Sequence, residues 1–170
     1  MDQSVRWLNQ LSAEDAEAEF LKCCGSTRWA KRMSEARPFG NLEEVSGKAG
    51  AIWSSLSAED WLEAFRAHPK IGERKAAATQ SHQAASWSAQ EQSQAQQAAE
   101  HTKAAIAERN LIYEARFGFI FIVCASGKSA DEILSALNDR LANDADTEML
   151  IAAEEQRKIT QLRLDKLLLT

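Results

Sequence analysis

The chain has 170 residues, 45% of them apolar and 26% charged, which is enough to bury a core of its own. Its formal net charge of −5 disfavours a general nucleic-acid binder or membrane-surface binder, which would normally present a basic face. Only seven glycines and two prolines interrupt a sequence rich in alanine, glutamate, glutamine and leucine. This composition predicts an all-α, single-domain bundle of several helices over residues 1–170.

Short capping motifs predict where several of the helices begin. The pattern Ser-x-x-Asp/Glu occurs at Ser12, Ser57, Ser88 and Ser129, where the hydroxyl and the acid can both cap a first helical turn. Apolar spacing and turn residues predict helices over about 12–24, 26–36, from 41 onward, and over about 57–68, 88–115, 129–142 and 146–169. In the first helix, Phe20 and Leu21 are expected on the inner face, and Gly25 is expected to end it.

Two segments are less regular. Residues 75–86 contain no large apolar side chain, which predicts either a mobile surface segment or a short exposed helix. The run from Phe117 to Cys124 fits either a buried extended segment or the start of a core helix. A sheet would need partner strands, and no other segment predicts one. In the long helix before this run, the sizeable anchors are Ile106, Leu111, Ile112 and Tyr113.

The cysteines and histidines predict neither a disulfide nor a metal site. Cys23, Cys24 and Cys124 are odd in number and lack a pairing pattern, which indicates free thiols in a reducing compartment. The three histidines lack metal-ligand spacing. With no basic-then-apolar leader, no membrane-spanning apolar run and no C-terminal SKL signal, the chain is expected to be cytoplasmic.

His68 is the first candidate for chemistry, because it directly precedes Pro69 in the segment FRAHPKIGE. The proline must end the helix and fixes the following backbone, so the imidazole would lie at a stiff helix-to-loop junction. The alternative is a structural histidine whose charged form is favoured by the helix C-terminus. The residues alone leave both interpretations open.

Glu91 and Arg163 also allow two interpretations each. Ser88 and Glu91 can form a capping box, but the same helix start would also present free N–H groups to an anion over residues 88–92. Arg163 lies on an apolar stripe between Ile159 and Leu167. It either snorkels to solvent, which is the commoner outcome, or reaches a pocket where its planar guanidinium can bind a carboxylate.

Taken in chain order, these motifs resemble those of the 2-oxo-4-hydroxy-4-carboxy-5-ureidoimidazoline (OHCU) decarboxylases. The matching motifs are Arg37-Pro38-Phe39, His68-Pro69 with Ile71-Gly72, Ser88-x-x-Glu91-Gln92, RFGFIFIVCASGKS at 116–129 and KITQLRL at 158–164. They cover most of the chain. Many family members have proline at the position of Ile120, but the family contact there is made through the backbone.

The resemblance implies a cofactor-free, all-helical, dimeric enzyme of urate breakdown that converts OHCU, a small anionic ureide, to (S)-allantoin. His68 would be the acid–base group, Glu91 its partner and Arg163 a further functional cation, with no metal ligand. The residues that would line the substrate site are Pro69, Ser88, Ala89, Gln90, Glu91 and Gln92, with the backbone of Phe121, Ile122, Val123, Cys124 and Ala125.

The implied chemistry suits a single histidine. Loss of CO2 leaves an electron pair that the neighbouring ring C=N of the substrate can accept, so no cofactor is needed as an electron sink. An imidazole with a pKa of about 6.5 can first interact with the substrate hydroxyl and later donate a proton. Two alternatives stay open at this point: a non-enzymatic helical binding module, and another acid–base enzyme that acts on a related ureide.

Overall fold

The protein is represented by a computed structural model, which describes residues 3–71, 81–93 and 100–169. Within these ranges every regular element is an α-helix, and the all-α prediction is confirmed. The helices are α1 (Gln3–Gln10), α2 (Ala13–Cys23), α3 (Thr27–Glu35), α4 (Leu42–Ser54), α5 (Ala58–Arg66), α6 (His82–Glu91), α7 (Glu100–Phe117), α8 (Ala130–Leu141) and α9 (Ala145–Leu169). None of these helices is long and apolar enough to cross a membrane. α1 is not among the helices predicted from the sequence.

Three of the four predicted serine caps are present. At Ser12, Ser57 and Ser129 the hydroxyl accepts a hydrogen bond from the backbone N–H three residues further on. Ser129 and Glu132 also complete a reciprocal capping box at the start of α8. Asn41 caps α4 in the same way through its side-chain oxygen. The fourth predicted cap, at Ser88, is wrong, because Ser88 lies in the last turn of α6 instead of before its first turn.

The end of α2 differs from the prediction in two respects. Cys24, rather than Gly25, leaves the helix, with an extended backbone at φ −148° and ψ 125°. This turn places Ser26 to cap α3. Leu21 is 38% exposed rather than buried. The reason is that Phe20 lies on the buried stripe, and the next residue of an α-helix is rotated by about 100° away from it.

Residues 1–64 and 157–170 form one compact unit. An aromatic cluster lies in its core, where the ring of Phe20 meets Trp29 at 5.8 Å and Phe39 at 6.5 Å, both edge to face. The Trp29 ring nitrogen donates to a backbone carbonyl of α4 at 3.1 Å. Edge-to-face pairs of this kind contribute about 0.5–1.5 kcal/mol beyond the area they bury.

The Arg37–Phe39 motif has a structural role in this unit. The Arg37 guanidinium donates to the backbone carbonyls of Leu8 and Leu11, each at 2.8 Å. Asn9 and Phe39 exchange two hydrogen bonds, at 2.8 and 2.9 Å. Because the last carbonyls of a helix have no partner within it, Arg37 stabilises the end of α1.

Residues 65–156 form the second unit. Tyr113 of α7 lies at the centre of its aromatic cluster, with ring centroids 4.7 Å from Phe117, 5.8 Å from Phe119 and 5.4 Å from Phe121. The chain passes between the two units within α5 and within α9. The single-domain organisation over residues 1–170 stays a prediction.

The run after α7 is neither helix nor strand, so the core-helix alternative is wrong. Gly118 follows the last residue of α7 with φ +78°, a conformation that a residue with a Cβ rarely adopts. It turns the chain out of the helix. The following residues Phe119 and Phe121–Val123 are buried, so side chains rather than neighbouring strands must satisfy their backbone.

The long helix predicted over 88–115 is two separate elements. Residues 94–99 lie outside the described part of the chain. Of the segment 75–86, which has no large apolar side chain, residues 75–80 also lie outside the described part, and the rest begins α6. In α7, Leu111 is 65% exposed and Ile112 is 42% exposed, so neither is an anchor within the chain. The buried stripe of α7 consists of Thr102, Ile106, Asn110 and Tyr113, at spacings of four, four and three residues.

Candidate active site

His68 lies just after the end of α5, as the proline beside it predicts. Its backbone N–H donates to the carbonyl of Phe65 at 3.1 Å, which closes the last turn before Pro69. The ring nitrogen Nε2 lies 2.6 Å from the side-chain oxygen of Gln156 on α9. Gln156 is completely buried, whereas His68 is half-buried. The backbone of His68 is therefore held by the helix terminus, and its imidazole by a long-range hydrogen bond.

Ser88 lies in the last turn of a helix, which corrects the predicted capping box with Glu91. The helix α6 begins after Ser81, whose hydroxyl accepts from the N–H of Ala84 at 3.1 Å, and ends at Glu91. N–H groups at a helix C-terminus are already bonded to preceding carbonyls, so this stretch offers no free N–H groups to an anion. The earlier start places Trp87 on the buried face of α6 with Ala84 and Ser88.

The predicted lining residues on α6 lie on two faces. Ser88 and Gln92 are buried and Glu91 is half-buried, whereas Ala89 and Gln90 are exposed. Residues three and four positions apart share one face of a helix. Only Ser88, Glu91 and Gln92 therefore point toward the interior of their unit, and the binding role of all five residues stays a prediction.

The predicted binding segment Phe121–Ala125 is held by buried charged side chains. The Arg140 guanidinium of α8 donates to the backbone carbonyl of Ile122. The backbone N–H of Cys124 donates to the carboxylate of Glu155 on α9 at 3.3 Å. These two contacts replace the ladder hydrogen bonds that a strand would receive, since a buried backbone group must find a partner. They fix the segment at two points without a sheet.

Arg140 connects this segment to a buried carboxylate. Its Nε donates to Glu148 Oε1 at 2.7 Å, and its guanidinium carbon lies 4.4 Å from the centre of the Phe121 ring. Glu148 is fully buried and also accepts from the Tyr113 hydroxyl and, at 3.1 Å, from the Asn143 amide. Because three side chains donate to it, the buried negative charge is compensated.

The hydroxyl of Tyr113 stays a donor in this cluster. Burial raises its pKa, and the hydrogen bond that it donates to Glu148 acts in the same direction. A tyrosine in such surroundings keeps its proton at neutral pH. Arg140, Glu148, Tyr113 and Asn143 form one network, called here the Arg140 cluster, which contacts the predicted binding segment at the backbone of Ile122.

Glu91 and Cys124 lie close to one another. Burial raises the pKa of the Cys124 thiol, and the nearby carboxylates of Glu155 and Glu91 raise it further. Since Glu155 binds the Cys124 backbone while its neighbour Gln156 holds His68, one turn of α9 contacts both the predicted base and the predicted binding segment. The structure thus brings His68 and the backbone of Cys124 to adjacent residues of α9, and Glu91 acts electrostatically on the Cys124 thiol.

Arg163 is 3% exposed, so of its two interpretations the one in which it snorkels to solvent is wrong. It follows Thr160 and precedes Leu164 on α9, and both of these side chains are buried too. The guanidinium lies close enough to Cys23 and Cys24 of α2 to lower the pKa of both thiols. Burial outweighs that effect and raises the pKa of Cys24 to about 11. Arg163 belongs to the unit that contains residues 157–170.

The sequence did not indicate Gln156, Glu155 or the Arg140 cluster. A signal for Gln156 and Glu155 was available, because they precede Ile159 by three and four residues on the apolar stripe that singled out Arg163. A polar residue on such a stripe is buried and must have a partner. Arg140 carries no comparable signal, since it precedes a helix end where cations are common on the surface.

The chain is similar to proteins of one family over most of its length. A family model described as OHCU decarboxylase matches residues 9–165. The chain is 40% identical to the uric acid degradation bifunctional protein TTL of Arabidopsis thaliana over 158 residues, which are 92% of this chain and 48% of that protein. It is 30% identical to the 2-oxo-4-hydroxy-4-carboxy-5-ureidoimidazoline decarboxylase of Haloferax volcanii over 163 residues, 95% of this chain and 92% of that protein. The chain thus spans about half of the Arabidopsis protein and nearly all of the Haloferax protein.

Solved structures show the same similarity. A crystal structure of OHCU decarboxylase in the presence of (S)-allantoin is 40% identical, with a TM-score of 0.78 over 89% of this chain and 98% of that one. A crystal structure of (S)-allantoin synthase is 17% identical, with a TM-score of 0.73 over 96% of this chain and 53% of that one. At that identity the second likeness concerns the fold alone.

Proposed function

The chain belongs to the OHCU decarboxylase family, and we propose that it catalyses the decarboxylation of OHCU to (S)-allantoin during the breakdown of urate. It would then be a carboxy-lyase acting on a small anionic ureide. The observation that carries the proposal is the arrangement around α9, where adjacent residues hold the predicted base His68 and the predicted binding segment at Cys124. A bound ureide beside that segment would lie within reach of the imidazole.

In the proposed mechanism, His68 handles the protons. As the bond to CO2 breaks, its electron pair forms a C=C bond to the neighbouring ring carbon, and the pair of the substrate C=N moves onto the ring nitrogen, which takes a proton from water. The imidazole accepts the hydroxyl proton as the carbonyl forms, and it then donates a proton to the ring carbon on one face. Glu91 is proposed to support the charged form of His68, because an anion nearby favours an imidazolium.

We also propose that the enzyme is a cytoplasmic homodimer that needs no cofactor. The substrate C=N can receive the electron pair, so the protein has to supply orientation, charge and one proton. Cys23, Cys24 and Cys124 are free thiols, in keeping with a reducing compartment. Leu111 and Ile112 expose apolar surface side by side on α7, a feature expected at a subunit contact.

The direct test is formation of (S)-allantoin from freshly oxidised and hydrolysed urate. We expect the purified protein to accelerate the appearance of the product's circular dichroism over an enzyme-free sample, with the same rate after prolonged EDTA treatment. A protein that binds the ureide without accelerating the reaction would be a binding module. Turnover of a related ureide alone would indicate a different acid–base enzyme.

Replacing Arg163 tests whether this buried cation serves the substrate. Arg163→Lys keeps the charge but loses the planar pair of donors, and Arg163→Met keeps the apolar bulk but loses the charge. We expect both variants to lower kcat/KM, with Met worse, by roughly 1.5–3 kcal/mol in apparent transition-state binding. Steady-state kinetics with thermal unfolding curves would measure the two effects separately.

The matched control for this substitution is Arg109→Met, because Arg109 is an exposed arginine on another helix. It should leave kcat/KM unchanged. If Arg163→Met is folded and as active as the unmodified enzyme, Arg163 has no role with the substrate, and its contacts in the core account for it.

A further inference from the structure

The hydrogen bond between His68 and Gln156 assigns a role to a residue outside the predicted site. We infer that Gln156 is a positioning residue for His68: its side-chain oxygen accepts the Nε2 proton and thereby sets which ring nitrogen exchanges protons with the substrate. The inference rests on the proposed role of His68 as the acid–base group. It concerns how that group is oriented, which the resemblance to a family does not assign.

The geometry of the contact is that of a strong, well-placed hydrogen bond. Nε2 and the Gln156 oxygen are 2.6 Å apart, although the two residues are 88 positions apart in the sequence. Gln156 has no exposed surface, so its oxygen has no access to bulk water. A buried amide oxygen gains stability from a donor inside the protein, and the imidazole N–H of His68 supplies one.

The identity of the acceptor decides the tautomer. A neutral imidazole carries one N–H and one lone pair, and an amide oxygen can only accept. Nε2 must therefore carry the proton, and the lone pair lies on Nδ1. When the ring takes a proton from the substrate hydroxyl, that proton arrives at Nδ1, and it leaves from Nδ1 toward the ring carbon. Gln156 thus selects Nδ1 for the chemistry.

A neutral acceptor at Nε2 adds no negative charge to the one that Glu91 is proposed to supply. An ionised carboxylate at this distance would favour the imidazolium and reduce the fraction of neutral ring at a given pH. The amide orients the ring without adding negative charge there. Glu155, the carboxylate next in the chain, binds the backbone of Cys124 instead. The two neighbours therefore serve different parts of the proposed site.

The test compares two substitutions by nitrogen NMR of labelled imidazole. In the unmodified protein, neutral His68 should carry its proton on Nε2, with its signals distinguished from the other two histidines by their loss in His68→Asn. Gln156→Met retains the bulk but removes the acceptor, so the share of neutral ring protonated on Nε2 should fall. We expect kcat/KM to fall about tenfold, equivalent to about 1.4 kcal/mol.

Gln156→Glu retains an acceptor and adds a charge. It should raise the pKa of His68, so that a higher pH is needed to generate the neutral base. The acidic limb of the kcat/KM profile should then move to higher pH by about one unit. A side chain at position 156 that does not reach the ring would leave this limb in place. Because Glu is close to Gln in volume, this variant keeps the inference testable if the Met variant does not fold.

Gln161→Met is the matched control. Gln161 lies on the same helix, is half-buried, and donates to Ser46 and Asp165, each at 2.9 Å. Its loss should leave the tautomer and the pH profile of His68 unchanged. A neutral His68 protonated on Nδ1, or an unchanged tautomer and pH profile in both Gln156 variants, would overturn the inference. Since the NMR measurement needs no substrate, failure of the proposed function would be seen separately, as absence of allantoin formation by the unmodified protein.

Discussion

His68→Asn is expected to lower the rate of OHCU decarboxylation by about 10²–10⁴-fold, the usual cost of losing a general acid–base group. Asparagine cannot exchange protons near neutral pH, so both proton transfers of the proposed mechanism would lose their carrier. The fold should persist, because His68 is only half-buried and follows the last turn of α5. Initial rates of allantoin formation would be compared with the midpoint of thermal unfolding.

His101→Asn provides the control for this substitution. His101 is exposed on α7, so its replacement should alter neither the rate nor the midpoint. A folded His68→Asn protein with near-normal turnover would remove His68 from the mechanism and return it to the structural interpretation. Loss of rate with the same unfolding midpoint would instead support the acid–base role.

Glu148→Leu is expected to lower the free energy of unfolding by about 3–5 kcal/mol, because it leaves the Arg140 guanidinium buried without its charge partner. The Nη2 of Arg140 lies 2.5 Å from Glu148 Oε1, and the Glu148 side chain is completely buried. The same substitution removes the acceptor of the Tyr113 hydroxyl. Urea unfolding monitored by tryptophan fluorescence would measure the loss.

The double variant Arg140→Met with Glu148→Leu separates charge from packing. It leaves no buried charge in the Arg140 cluster, so it should recover part of the stability that Glu148→Leu loses. It should lower activity, since Arg140→Met removes the donor to the carbonyl of Ile122. The surface pair Lys22–Glu19, which is partly exposed, is the comparison: Glu19→Gln should cost about 1 kcal/mol or less. An equally small loss for Glu148→Leu would contradict the proposed importance of the Arg140 cluster.

The site was less predictable from the sequence than the helices. The histidine junction could be predicted because Pro69 ends a helix by its own chemistry. The interpretation of Ser88 failed because two serines, Ser81 and Ser88, can both cap a helix, and a local motif does not say which one does. Burial decides between them: the start at Ser81 lets Trp87 lie on the inner face of α6. That preference depends on residues distant in the chain.

The sequence by itself determined what local chemistry controls. The all-α class, the caps at Ser12, Asn41 and Ser129, the helix end before Pro69 and the family all follow from short motifs and apolar spacing. Only the tertiary structure decided which polar groups are buried and what they bind. Arg163 is enclosed instead of snorkelling, and Gln156 meets His68 across 88 positions. The physical reason is that a buried polar group takes whatever partner the packing of other helices brings to it, and that partner is not encoded in the neighbouring sequence.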